Sequence, residues 1–160
     1  MEKFVLFILL ILLATKSYTS NFYQRTYKNQ SIFNFSGKRP STLGVHNGKL
    51  TPCTHKSNCV SSQSTEDSHK VQPFYYKNSG NQALKRLISL LEAQPRCTII
   101  TQSPNYIHAE FKTSIMGFVD DVEFYIPSSG NQIQVRSASR IGHYDLGVNR
   151  KRIERLRKLF

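Results

Sequence analysis

Two carboxylates stand side by side in the apolar run GFVDDVEFY, residues 117–125, and charges in such a place call for either chemistry or a structural ion pair. Asp120 and Asp121 point to opposite faces of any extended strand, because strand side chains alternate with a period of two. A buried carboxylate beside a cation can carry a proton or hold a ligand, since burial and neighbouring charge both move its pKa. The segment SRIGHYDLGVNR supplies candidate partners, gathering Arg140, His143, Tyr144, Asp145, Asn149 and Arg150 around two glycines. A Gly-containing turn that opens a helix can bind an anion on backbone N–H groups, with arginines adding charge. Asp120 and these six residues form the candidate ligand-binding set. The competing structural reading makes Asp145 or Asn149 a helix cap and Arg140 the neutraliser of Asp120.

The cysteines are the second chemical feature. Cys53 and Cys59 lie in PCTHKSNCVSSQ, close enough to close a short disulfide loop in a chain that carries an export signal. A metal site built from Cys53, His55, Cys59 and His69, or a reactive thiol beside a histidine, are the alternatives; the spacing matches no regular zinc pattern. Cys97 makes the count odd and reads as a free buried thiol. His69, His108 and His143 read as ordinary surface or strand residues.

These groups sit in a chain of 160 residues with 22 Lys and Arg against 10 Asp and Glu, a net charge of +12. Such a balance favours anionic partners, a small molecule or a membrane surface among them. The tyrosines and phenylalanines show no spacing that identifies a nucleic-acid platform, so no specific nucleic-acid recognition is expected. Residues 1–20 read as a signal peptide or short membrane anchor: a basic start, an apolar run over residues 4–14, then polar TKSYTS. Residues 21–39 form a basic, acid-free stretch, a linker or possible transit segment, and residues 40–160 a single domain. The address is therefore secretory and extracytoplasmic, with a two-part plastid route as the alternative.

The elements that must position the candidates follow from periodicity. SGNQALKRLISLLEAQP places Leu84, Leu87, Ile88 and Leu91 on one helical face, with Ser79 or Asn81 as the start and Pro95 as the stop. TIITQ, YIHAEFKTSI, GFVDDVEFYI and NQIQVRSAS alternate as strands, with Ile107, Ala109, Phe111 and Ile115 on one side. NRKRIERLRKLF closes the chain as an amphipathic helix. The expected fold is α+β: a four-stranded antiparallel meander flanked by two helices, with a Cys-containing N-terminal loop.

Register then assigns the two carboxylates. With PSSG as the turn, Ile126 faces Asn131, Phe124 faces Ile133, and Asp121 faces Arg136 as a cross-strand ion pair worth roughly 0.2 to 1 kcal/mol. A two-residue turn at Met116 and Gly117 brings Lys112 to the other side of Asp121. Asp120 then points to the apolar face opposite Ser137 and needs Arg140 or Arg150 as a partner.

GKLTPCTHKSNCVSSQ, His69 with Pro73, GFVDDVEF and VRSASRIGHYDLGVNRKRIE together resemble the uncharacterised family known as domain of unknown function 1499, from about Phe35 to the C-terminus. FSGKRPSTLGV and HAEFKTSIMGFVDDVEFY look closest to its cyanobacterial and plastid-associated branch. The usual Cys-Pro-x-x-Pro-Asn-Cys segment is altered, with Thr54 and Ser57 where prolines are common, which makes this loop less rigid. The resemblance implies neither a reaction nor catalytic residues.

With no nucleotide loop, hydrolase elbow or recognisable metal set, the chain predicts no cofactor and no metal. It reads as a non-catalytic extracytoplasmic domain that binds an anionic small molecule, lipid headgroup or partner. An enzyme using Asp120 with Arg140 and Arg150, and a purely structural envelope protein, are the alternatives.

Overall fold

A computed structural model describes residues 31–160, which form one compact unit. The expected address segment and the first part of the basic stretch lie outside the described residues. The strands are β1 (Val45–His46), β2 (Lys49–Leu50), β3 (Cys59–Ser61), β4 (Phe74–Tyr75), β5 (Cys97–Ser103), β6 (Tyr106–Lys112), β7 (Val119–Tyr125) and β8 (Gln132–Ser139), and the helices are α1 (Gly80–Glu92) and α2 (Val148–Leu159). The fold is α+β, and the expected meander is β5 to β8. It is extended to a six-stranded sheet by β3 and β4, which both pair along the free edge of β8. Two- and three-residue strands are too short to show alternation, so sequence periodicity passes over them.

Each helix starts where its caps dictate. Ser79 and Gln82 form a reciprocal capping box on α1, whose Ala83, Leu84, Leu87 and Leu91 are buried. The Asp145 carboxylate accepts the backbone N–H groups of Gly147 (2.9 Å) and Asn149 (2.8 Å), so it caps α2. Leu87, Leu91, Ile153 and Leu156 join Ile107, Ala109, Phe111, Val122, Phe124, Ile133 and Val135 in one apolar core on a single face of the sheet. Phe74 and Phe124 meet edge to face at the core, with centroids 5.7 Å apart.

The register differs from the sequence expectation by two residues on both sides of β7. Glu123 faces Arg136, Phe124 faces Val135, Asp121 faces Ala138, and Asp120 faces Ser139 rather than Ser137. Ile126 donates its N–H to Asn105 and Asn131 accepts from Tyr76, so those two residues pair with other neighbours and the connection between β7 and β8 is longer than PSSG. Between β6 and β7 the loop runs over residues 113–118, which sets Glu110 opposite Asp121 and Lys112 opposite Val119. Ile115 therefore sits in this loop, 58% exposed, instead of in the core. A shift of two keeps the residues within β6, β7 and β8 on their expected faces, so Ile107, Ala109, Phe111, Phe124 and Ile133 reach the core as expected while Ile115 and the ion pairs do not.

Residues 31–35 lie along that loop. Ile32, Phe33 and Phe35 donate N–H groups to the carbonyls of Ser114, Ile115 and Met116. Gly117, at φ +69°, lets the two segments approach: a Cβ there would stand 2.2 Å from the Phe33 carbonyl oxygen.

Candidate functional site

The two faces of the sheet give the acidic residues different surroundings. On the face away from the helices, Glu110, Asp121 and Glu123 lie with His108, Arg136 and Arg140, all contributed by alternate positions of β6, β7 and the β8 end. Asp121 is 1% exposed. Its carboxylate accepts Arg140 Nε at Oδ2 and both Arg140 Nη2 and His108 Nε2 at Oδ1, each at 2.8 Å. Arg140 also donates to Glu110, which in turn accepts Arg39 Nε at 2.8 Å. Glu123 accepts the Gly44 N–H (2.7 Å), the Tyr106 hydroxyl (2.9 Å) and Arg136 Nη1 (3.1 Å). The expected pair of Asp121 with Arg136 is thus replaced by Asp121 with Arg140 and Glu123 with Arg136, a direct result of the two-residue register shift.

The electrostatics of this face are those of a closed ionic lattice. Burial pushes the Asp121 carboxyl up, but hydrogen bonds and charge from Arg140 and His108 outweigh it and hold the group below its ordinary value. Glu110 shows the same balance with Arg140 and Arg39. Hydrogen bonding to Asp121 raises Arg140, and burial followed by the charge of Glu123 raises Tyr106. His108, Glu110 and Asp121 offer ligand atoms within 4.8 Å of one another, the spacing of a metal site. The Arg140 guanidinium already bridges Glu110 and Asp121, so the cation those oxygens require is part of the chain.

Asp120 faces the other way, toward the helices and the end of the sheet. Its partner is Arg152 of α2, not Arg140 or Arg150. Arg152 is held in turn by Asn149 Oδ1 (2.7 Å) and lies 4.9 Å from the centroid of the Phe111 ring. Asp120 also lines a cavity of about 420 Å³ whose walls are Phe118, Ile141, Tyr144, Leu146 and Val148, with Ser139 and Asp145 adding polar atoms. Apolar walls around a few fixed polar groups are the ordinary make-up of a small-molecule site.

The seven expected ligand-binding residues divide accordingly. Asp120, Tyr144 and Asp145 line the cavity. Asn149 is buried beneath it, its side-chain amide reaching the Asn58 carbonyl at 3.1 Å and Asp145 Oδ2 at 2.8 Å. Arg140 belongs to the opposite face, and Arg150 donates to the backbone carbonyls of Ser68 and Lys70 at 2.6 Å each. His143 is exposed, and its carbonyl accepts the Ser57 hydroxyl at 3.4 Å. The proposed catalytic grouping of Asp120 with Arg140 and Arg150 is therefore not assembled.

Cys53 and Cys59 are joined as a disulfide, which removes both from the metal and thiol alternatives. The neighbouring Asn58 donates its amide to the Gly142 carbonyl at 2.8 Å, so the bridged loop holds one wall of the cavity. His69 is buried against the bridge, with Nδ1 2.8 Å from the Cys59 carbonyl oxygen. Cys97 is free and partly buried, and burial pushes its thiol up to about 12. Sequence reading missed His69 and His108 as interior groups, and Arg39, Glu110, Glu123 and Arg152 as ion-pair partners. The alternation of His108 with Glu110 and of Asp121 with Glu123 was the available signal, since it marks one polar face shared by neighbouring strands.

A family model described as "Protein of unknown function (DUF1499)" matches residues 49–160. No curated protein and no solved structure matches the chain.

Proposed function

Because the chain belongs to the DUF1499 family, whose description names no activity, its role must come from its own geometry, and we propose that it is a non-catalytic binding domain of an extracytoplasmic compartment. The observation that carries this reading is the 420 Å³ cavity at the end of the sheet, apolar on most sides and touching one buried carboxylate. Its ligand is a small amphipathic molecule, with an apolar body against Ile141, Leu146 and Val148 and a hydrogen-bonding end toward Asp120. The anionic ligand suggested by net charge fits this cavity less well, because Arg140 and Arg150 are committed elsewhere. The disulfide supports an oxidising compartment, secretory or, through a two-part address, plastid. Among the described residues no helix is long and apolar enough to cross a membrane.

Native mass spectrometry of the purified protein tests the reading. Wild type should retain a small molecule, and Ile141→Trp, which fills the cavity from its rim, should lose it without a fall in melting temperature. Absence of any bound mass, together with no thermal shift across a panel of amphiphiles, would rule the proposal out.

A further inference from the structure

The cavity opens among apolar side chains that the fold leaves in solvent. Leu146 is 72% exposed and Tyr144 69% exposed, and Ile32, Phe33, Phe35, Ile115 and Met116 stand out around Phe118 on the same end of the sheet. Contacts join them into one surface. The rings of Phe33 and Phe35, and of Phe35 and Phe118, are each 6.2 Å apart, and Gly37 packs against Ile141, which with Phe118 and Leu146 lines the cavity. Leu146 also adopts a left-handed backbone, φ +56°, a conformation disfavoured for a bulky side chain. The three hydrogen bonds that Asp145 accepts from Gly147 and Asn149 hold the turn around it. A strained backbone that presents leucine to water is unfavourable twice over, and such strain persists where surrounding structure enforces it for a use.

Two further observations say what covers this surface. The first is charge. Exposed Lys38, Lys56 and Lys151 lie beside the patch: Lys38 follows Gly37, Lys56 precedes Ser57 at the His143 carbonyl, and Lys151 reaches the Leu146 carbonyl. The acidic groups there are committed, Asp120 to Arg152 and Asp145 to the start of α2. The second is where the chain leads. The described unit begins at Ser31, next to Ile32 and Phe33. Sixteen residues, 15–30, then separate it from the apolar run at 4–14, and they include Lys16, Arg25 and Lys28 but no acid. Those sixteen residues add three positive charges and no negative one to the stretch that leads into this rim, the same sign as its lysines.

We infer that this rim docks onto an anionic membrane surface, with Leu146, Phe33 and Met116 entering the interface and the surrounding lysines meeting lipid phosphates. Apolar insertion and basic attraction are each weak alone and bind stably in combination. The inference deepens the binding-domain reading, because a cavity that opens into a bilayer interface takes amphiphiles from the membrane, yet the docking itself stands without a ligand.

The chain contains no tryptophan, so a single one reports its own surroundings. Phe33→Trp and Met116→Trp place it on the rim outside the cavity lining, and Tyr75→Trp places it at the opposite end of β8. In the full chain, mixed with phosphatidylcholine vesicles containing phosphatidylglycerol, the two rim reporters should shift to shorter wavelength and be quenched by brominated lipid. The Tyr75→Trp reporter should do neither. Leu146→Glu in the Met116→Trp background should reduce the shift several-fold, and salt should weaken it. Unchanged rim reporters, equal response of all three positions, or an equal response on pure phosphatidylcholine would each overturn the proposal. Mass spectrometry of retained ligand fails or succeeds separately: rim insertion without a bound molecule sinks only the cavity reading.

Discussion

Asp121 and Asp120 differ by one position and by the number of groups that depend on them. Asp121 accepts three hydrogen bonds from Arg140 and His108 and is sealed from water, so Asp121→Asn removes the buried charge that holds both groups, leaves Arg140 with Glu110 alone, and should cost about 3 to 5 kcal/mol. Asp120 lines the cavity, and Arg152 keeps its hydrogen bond to Asn149 and its place over Phe111 when that charge is lost; Asp120→Asn should cost about 1 to 3 kcal/mol. Urea unfolding of the two variants measures the order, which is the reverse of what the solvent-facing ion pair expected from sequence would give. Acid tests the same lattice. The folded values of Asp121 and Glu110 lie below their ordinary 3.8 and 4.5, so in that window the unfolded chain binds more protons. Stability is fully present above the ordinary values and falls as pH drops through them toward the folded ones. Arg140→Gln removes the main cause of the depression, so its melting temperature should become less dependent on pH below about 4.5, from a lower starting point. That both acids needed partners was visible in the sequence, because an unpaired carboxylate in an apolar strand is costly. Which partners they took was not, because a two-residue change in register exchanges Arg136 for Arg140 without disturbing the apolar pattern.

Local pattern located the elements where it was long enough to repeat. Helix α1 shows four buried positions at helical spacing and a capping box at Ser79, and β6 carries Ile107, Ala109 and Phe111 at alternate positions as β8 carries Ile133 and Val135, while β5 shifts register between Ile99 and Thr101. The short β3 and β4 have no period to detect and exist because β8 offers them a free edge. Contact between residues 31–35 and the loop after β6 was equally hidden, since the basic, hydroxyl-rich composition of that stretch resembles a linker while its backbone bonds to residues 114–116 depend on tertiary approach. Gly117→Ala tests that contact: the added methyl meets the Phe33 carbonyl and the left-handed backbone disfavours it, so the variant should be cut faster by protease within residues 31–40 while the core melts with a smaller change. The disulfide spans only six positions, and closing so short a loop stabilises by about 2 kcal/mol in the chain-entropy view. Reduction should therefore lower the melting temperature modestly. It should also release Asn58 from Gly142, so amides of residues 140–147 should exchange faster in the reduced protein than those of β6 and β7. Equal exchange in both forms would show that the bridge does not hold the cavity wall.

Residues 31–160 form a sheet with helices on its apolar face and a strap of chain on its charged one. Residues 39–50 make that strap: Arg39 binds Glu110, the Gly44 N–H binds Glu123, and Leu50 is buried at its end. The family match begins at residue 49, so nearly all of the strap precedes the shared region while the acids it satisfies lie inside it. Charge makes the consequence definite. Glu110, Asp121 and Glu123 are balanced by Arg39, Arg136 and Arg140, and without the strap two arginines face three carboxylates on a face opened to water. A chain beginning after Gly44 should consequently fold with a lower melting temperature, and its loss of stability in acid should be shallower, because Glu110 has lost one of the two arginines that depress it. Arg39→Gln in the full chain isolates the charge from the cover. Since Arg39 is half exposed and screened, it should reproduce only a small part of the fall. If the shortened chain matches wild type in both melting temperature and acid profile, the strap is an accessory and the ionic face is complete without it. If instead Arg39→Gln alone reproduces the full loss, the strap acts through its charge, and the burial supplied by residues 40–44 contributes little.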